Sequence, residues 1–512
     1  MVGRSVVIVG GGHNALVAGT YLARAGLDVD LIERLPHVGG AAVSAQVFDG
    51  HDARLSRFSY LVSLMPTELI ADLGLDLELR SRATASFTPY DGVDGPAGLL
   101  VETDEGPATR ESFRALTGGD TEFTAWQRFY AEIATLARVV APTLLAPLPR
   151  LSSLREQVDQ QIWTDLIDQP IGAAIERRFR DDLVRGVVAT DALIGTFASV
   201  HDESLIQNRC FLYHLIGNGT GEWRVPVGGM GAVSAELERT ARAAGVRIRT
   251  DTTVTGVIAH DDHVQVLGDG IDLTADWVLS GVAPYIMDRL RGRVLGPKPS
   301  GSQLKVNVLV SRLPRLKSGV DPAVAFAGTF HIGERLTELE RAHGEAANGR
   351  PPSHAAGELY CHTLTDRSIL GPGLAGTDAQ TLTYFGLHTP AEVLPDDEAG
   401  RRAYRQFVDA LDAHLAEPIE PLILGVEYKT PNQIEEALAM PGGHIFHGDL
   451  RWPWLDDDAP VRSAAERWGV ETDHPRILVC GSGARRGGAV SGIAGHNAAH
   501  ALLDLIASLG TS

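Results

Sequence analysis

Gly10, Gly12 and Ala15 occupy the spacing G-x-G-x-x-A in VVIVGGGHNALVAG, residues 6–19. Glycines one residue apart at the end of a strand allow a sharp turn and let a pyrophosphate approach bare backbone, and a small third residue lets the next helix pack closely. The chemistry served is dinucleotide binding. Glu33 follows about twenty residues later, where a carboxylate accepts hydrogen bonds from a ribose hydroxyl. Its neighbour Arg34 is read into the same nucleotide contact, and His13 and Asn14, inside the turn, are read as hydrogen bonders at a helix start.

These residues need a strand, a helix and a second strand to position them. Val6–Val9 is apolar on both faces, as a buried parallel strand must be. Asn14–Arg24 has apolar residues at helical spacing and is stopped by Gly26, which suits the residue after a helix end. Val29–Ile32 reads as the second strand, ending at Glu33. The helix start aims free N–H groups at the phosphates.

Further on, Gly39, Gly40 and Ala41 follow in ERLPHVGGAAVS. From Val6 to Ser44 the chain resembles the FAD-binding start of flavin oxidoreductases of the phytoene desaturase and amine oxidase superfamily. It is most similar to the phytoene desaturase-like branch that includes carotenoid isomerase-like proteins. The resemblance implies that the paired glycines return the chain to the FAD pyrophosphate, and that Ser59 and Tyr60 in SRFSYLVS lie near the isoalloxazine.

It extends further along the chain. WRVPVGGMGAVSAELERTARAAGVRIRT, residues 223–250, reads as a glycine turn, a helix and a strand; Pro226 and the lack of a spaced acid favour a structural turn over a second nucleotide fingerprint. The resemblance then assigns Val254 a main-chain contact on the adenine side. In RILVCGSGARRGGAVSGIAGHNAAHALL, strand Ile477–Cys480 precedes a helix from about Gly492. By residue match, Gly481, Ser482 and Gly483 approach the phosphate and ribityl, and Val490, Ser491, Gly492 and Ile493 approach the ring. Where the family usually carries a His-Pro turn this chain has Arg485 and Arg486, so Arg485 is a candidate for holding an anionic substrate group. His447, in GGHIFHGD, matches a family segment before the last FAD motif and is the candidate catalytic base or polar anchor.

The expected fold class is α/β: a Rossmann-type FAD-binding domain, its parallel sheet flanked by helices, built from residues 1–70, 221–285 and 451–512. It is interleaved with an α+β substrate domain at 71–220, read as mainly helical, and 286–450. LKVNVLVSRLP and TLTYFGLHTP read as strands of the latter, and in the family such strands roof the flavin. VQVLGDGIDLTADWVLS reads as a hairpin around a DG turn. The apolar stretch Leu144–Leu154 is read as packing inward, with a membrane-touching edge as the other possibility.

Composition narrows the function classes. Lys plus Arg total 45 against 65 Asp plus Glu, a net charge of −20 that repels nucleic acid and anionic lipid. The 3 cysteines are far apart and form no CxxC pair, which suits a reducing cytosol. A cytoplasmic location is expected; any membrane association would be peripheral, hydrophobic and local. No run is apolar enough for a membrane span. His444 and His447 lack a carboxylate at zinc-site spacing, so no metal is expected, and GSGAR is not a serine-hydrolase elbow.

The expected function is an FAD-dependent oxidoreductase that desaturates a C–C bond of a mostly apolar, isoprenoid- or lipid-like small molecule by hydride transfer to FAD N5. Oxygen, a quinone or another carrier is favoured over NAD(P) as electron acceptor, since no second dinucleotide fingerprint is present. A flavin amine oxidase acting on a C–N bond, a redox-neutral polyene isomerase and a non-catalytic FAD-fold binding or assembly protein stay open as alternatives.

Overall fold

Residues 4–509 are described by a computed structural model. Ser5–Val9 is the middle strand of a five-stranded parallel sheet, in the order Ile477–Val479, Trp277–Ser280, Ser5–Val9, Asp28–Ile32, Arg247–Arg249. Its side chains alternate between two layers. Val6 and Ile8 join a core with Leu16 and Leu22 of helix His13–Arg24, Val233 and Leu237 of Met230–Ala244, and Ala498 and Leu502 of Ile493–Leu509. Val7 and Val9 face the other way, against Val257, Val264 and Val266 of an antiparallel sheet formed by Val254–Ala259, Val264–Gly268 and Ile271–Ala275. This is why the first strand is apolar on both faces. The helix after it stops as expected, with Gly26 at φ +86°.

The turn before Met230–Ala244 is structural. Its N–H groups are already taken: Gly228 donates to Asp366 Oδ2 at 2.8 Å, Met230 to Ser56 Oγ at 2.9 Å and Gly231 to Ser44 Oγ at 2.9 Å. No phosphate is needed to satisfy it.

The second body is built on a seven-stranded sheet, ordered Ile423–Lys429, Leu304–Val310, Gln380–Gly386, Gly357–Tyr360, Thr329–Ile332, Thr84–Gly92, Gly95–Glu102. The stretch expected to be mainly helical is so from Pro107 onward but opens with the last two of these strands. Pro89 and the turn in YDGVDG disfavour a helix there, and the partner strand Thr329–Ile332 lies far along the chain, where no local pattern reveals it. The helices that follow enclose a core of Phe113, Trp126, Phe129, Trp163 and Phe179. Leu144, Leu148 and Leu154 are buried, so that stretch packs inward.

Candidate functional site

The glycine turn forms a cradle whose open side meets no protein atom. Gly10 has φ +91°, and an added Cβ would come within 2.9 Å of Val282 Cγ1, so both backbone and packing require glycine there. Gly12 differs: its φ of −66° suits any L residue, and an added Cβ would meet nothing within 4 Å. Glycine at this position leaves room for a ligand. Glu33 is fixed beneath the turn, accepting from Gly11 N through Oε2 at 2.7 Å and from Leu35 N through Oε1 at 2.8 Å. Gly39 N donates to Gly11 O at 2.8 Å, which lays Gly40 and Ala41 along the cradle, and Ser59 Oγ donates to Ala41 O at 2.8 Å.

His13 and Asn14 open the helix above the cradle. Both are buried, yet His13 Nε2 and both polar side-chain atoms of Asn14 have no protein partner. Orphaned buried polar groups cost about 1–3 kcal/mol each unless something satisfies them. Burial pushes the His13 imidazole down to about 4, with a backbone hydrogen bond to Ala489 opposing it.

A cavity of about 270 Å³ joins this cradle to the second body. Ala15, Tyr60, Ser482 and Val490 line it along with the cradle, and so does His447. Burial first, then the neighbouring His444 and His13, push His447 down to about 4. It is uncharged at neutral pH, with Nδ1 unpartnered. That suits a hydrogen-bonding anchor better than a strong base.

The wall supplied by the seven-stranded sheet is polar, which sequence reasoning missed. Strand register sets Lys305, Phe385, Glu358 and His331 in one row across four strands. Lys305 Nζ lies 4.2 Å from the Phe385 ring centroid and donates to Asn307 Oδ1 at 2.9 Å. Burial holds its amine well below the usual lysine range. Tyr360 Oη donates to Glu358 Oε2, and burial pushes the Glu358 carboxyl up to about 8. Facing the same cavity from the end of helix Asp182–Thr190 is Asp191, pushed up by burial to about 7. A signal did exist for Lys305: in LKVNVLV the period-two alternation puts Lys305 and Asn307 on one face and Leu304, Val306 and Val308 on the other. For Asp191, in TDALIG, there was none.

Several expected site residues lie outside the cavity lining. Ser491, Gly492 and Ile493 serve packing: Ser491 Oγ accepts from Ile493 N at 3.3 Å, and an added Cβ on Gly492 would meet Val17 and Leu69 at 3.2–3.3 Å. Gly481 sits behind the ligand face, its N bonded to Ser280 O at 3.0 Å. Gly39 is likewise in the supporting layer. Val254 begins its strand opposite Gly268, near Glu33 because Thr252 N donates to Glu33 O at 2.9 Å. Arg34 lies outside the cavity lining and donates to Ala437 O at 2.6 Å.

Arg485 is another expected site residue outside the cavity lining. Its guanidinium donates to Trp454 O at 2.5 Å. Arg486 is 2% exposed and donates to the carbonyls of Thr143, Ala146 and Trp468 at 2.6–2.9 Å. Three interior carbonyls thus depend on one side chain. Arg486→Met is expected to destabilise the fold by about 3 kcal/mol, read by denaturant unfolding.

Among the described residues no group of three or more His, Cys, Asp or Glu is placed to hold a metal ion. None of their helices is long and apolar enough to cross a membrane. Cys210, Cys361 and Cys480 are buried and free.

Residues 8–68 match the model of the NAD(P)-binding Rossmann-like domain. A putrescine oxidase double mutant has the same fold, with a TM-score of 0.59 at 19% identity over 98% of this chain and 99% of its own. The Mycobacterium tuberculosis protein Rv0897c is 46% identical over 98% of this chain and 97% of its own length. Pyridine nucleotide-disulfide oxidoreductase domain-containing protein 2 of Rattus norvegicus is 30% identical over 96% of this chain and 92% of its own. With its Rossmann-type sheet, its glycine cradle and this end-to-end similarity, the chain belongs to the family of pyridine nucleotide-disulfide oxidoreductase domain-containing protein 2.

Proposed function

We propose that the protein is an FAD-dependent oxidoreductase that dehydrogenates a C–C bond of a mostly apolar small molecule. The observation that carries this reading is the single cavity that runs from the glycine cradle to the walls of the second body. The cradle fits FAD on the chain's own terms. Gly12 leaves open space, the polar atoms of His13 and Asn14 lack partners, and Glu33 is held with lone pairs to spare. A pyrophosphate would fill the first and accept from Asn14 Nδ2, and a ribose hydroxyl would donate to the third.

When bound, FAD supplies the hydride acceptor and passes electrons on to oxygen, a quinone or another carrier. The chain's own residues do the rest. Leu61, Leu64, Ile194, Trp223 and Phe446 line the cavity and favour an apolar body over water. Neutral His447 offers a hydrogen-bond anchor, and Lys305, whose amine burial holds well below the usual lysine range, adds a second polar group to the cavity wall. The disulfide part of the relative's name finds no counterpart here, since the three thiols sit in separate places and burial raises each of them.

The test is the visible spectrum of the purified protein, followed by anaerobic addition of isoprenoids, lipids and amines. Flavin bands that bleach with an isoprenoid or lipid support the reading. Bleaching by amines alone would replace it with C–N oxidation, and a protein that binds no FAD would overturn it. Glu33→Gln presents an amide where two backbone N–H groups need acceptors, so FAD affinity is expected to fall about tenfold in a flavin titration.

A further inference from the structure

Two carboxyl groups reach the cavity from separate walls, Glu358 from the sheet and Asp191 from the helical stretch. The Asp191 carboxylate has no hydrogen-bond or ion-pair partner among the described residues. Glu358 has Tyr360 as its donor and His331 Nε2 at 4.0 Å, but burial pushes that imidazole down to about 3, so it brings no charge. Lys305, in the same row, is bonded to Asn307 and lies over the Phe385 ring, in ion-pair contact with neither acid, and burial holds its amine well below the usual lysine range. Arg82 also lines the cavity, yet it pairs with neither acid: it donates to Thr329 Oγ1 at 3.4 Å and sits 5.8 Å from the Tyr360 ring centroid. Among the described residues neither acid is therefore in ion-pair contact with Lys305 or an arginine, and the Arg82 charge acts on Glu358 only from a distance, too weakly to offset its burial.

A separate observation points the same way. Gln303 is 2% exposed and lines the cavity two residues before Lys305, and neither its Oε1 nor its Nε2 has a partner. An interior amide left bare on both atoms awaits a polar ligand. Aromatic faces complete the surroundings: Tyr60 and Tyr360 lie 4.9 Å apart between ring centroids, and Phe385 is in the row beside Glu358. Such faces suit an alkylammonium group as well as an apolar chain.

We propose that Asp191 and Glu358 form a recognition site for a positively charged group of the substrate, a protonated amine or alkylammonium carried on an otherwise apolar body. The proposal rests on the cavity being the substrate site of a flavin enzyme. Burial pushes the ionisation of the two carboxyls up to about 7 and about 8, and a bound cation would draw both into the charged form that pairs with it. Gln303 Oε1 is available for a further N–H of the ligand.

The experiment is calorimetric titration of the flavin-loaded protein with hexylammonium, hexanol and hexanoate, three probes of one chain length that differ in charge. Hexylammonium is expected to bind about tenfold more tightly than hexanol. Asp191→Asn and Glu358→Gln are each expected to remove that preference with flavin content and melting temperature kept. Equal binding of all three probes, tightest binding of hexanoate through Arg82, or a preference that survives in both variants would overturn the proposal. If one variant does not fold, the other and the native selectivity decide. A native protein without flavin sinks the flavin reading alone, because calorimetry still measures the selectivity; selectivity lost in a flavin-bearing protein sinks this proposal alone.

Discussion

Gly12→Val is expected to weaken flavin binding about hundredfold in a protein that still folds. Gly12 differs from most turn glycines in having a φ of −66°, so a valine there pays no conformational penalty from the left-handed region. An added Cβ meets no protein atom within 4 Å, so no packing is lost either. The side chain instead enters the space in front of the backbone, where a pyrophosphate must come close. Overfilling a close contact costs about 1–3 kcal/mol, and for a β-branched residue against a phosphate the upper end applies, a loss of about hundredfold in affinity. FAD titration of the apoprotein reads the loss, while thermal unfolding of the apoprotein should stay within about 1 kcal/mol of the native chain. Gly10→Val makes the contrast, since Gly10 has φ +91° and Val282 in the way, and should damage the fold as well.

Gly495→Ala is expected to destabilise the protein by about 3 kcal/mol or more, read by denaturant unfolding. Helix Ile493–Leu509 crosses helix His13–Arg24 so closely that a Cβ on Gly495 would lie 1.9 Å from Asn14 O. That atom is backbone and cannot swing aside. Relief requires the two helices to separate, which opens the core around Ala498 and Leu502 and shifts Asn14 at the cradle. Flavin affinity should therefore fall together with stability, unlike in Gly12→Val. Gly344→Ala is the control: it lies within helix Leu336–Ala347, an added Cβ meets nothing, and a gain of about 0.5–1 kcal/mol is expected from helix propensity.

The cradle was legible because its requirements are local. A strand, a sharp turn, a helix start and an acid at fixed spacing all fall within residues 5–33, and the physics that joins them needs no distant partner. Ser59, Tyr60 and His447 were reached by resemblance, and each lines the cavity. The polar wall was not legible for the opposite reason. Lys305, Phe385 and Glu358 become neighbours only through the register of strands far apart in sequence. Arg485 and Arg486 misled because charged residues are usually exposed. Only the fold reveals that the carbonyls of Trp454, Thr143, Ala146 and Trp468 converge on them.

The five-stranded sheet has a consequence for how the protein is made. Strand Trp277–Ser280 lies between Ser5–Val9 and Ile477–Val479, so the glycine turn is emplaced beside residues that lie far along the chain from it. Ser482 and Val490, which close the cavity, follow that final strand. Such long-range pairing slows folding, because loop-closure entropy is lost before the contacts form. The first strand, apolar on both faces, gains its second neighbour only with Trp277–Ser280 and the helix cover of one face only with Ile493–Leu509. Cofactor capture should follow that closure, and a chain cut before Ile477 should be held by chaperones instead of by flavin.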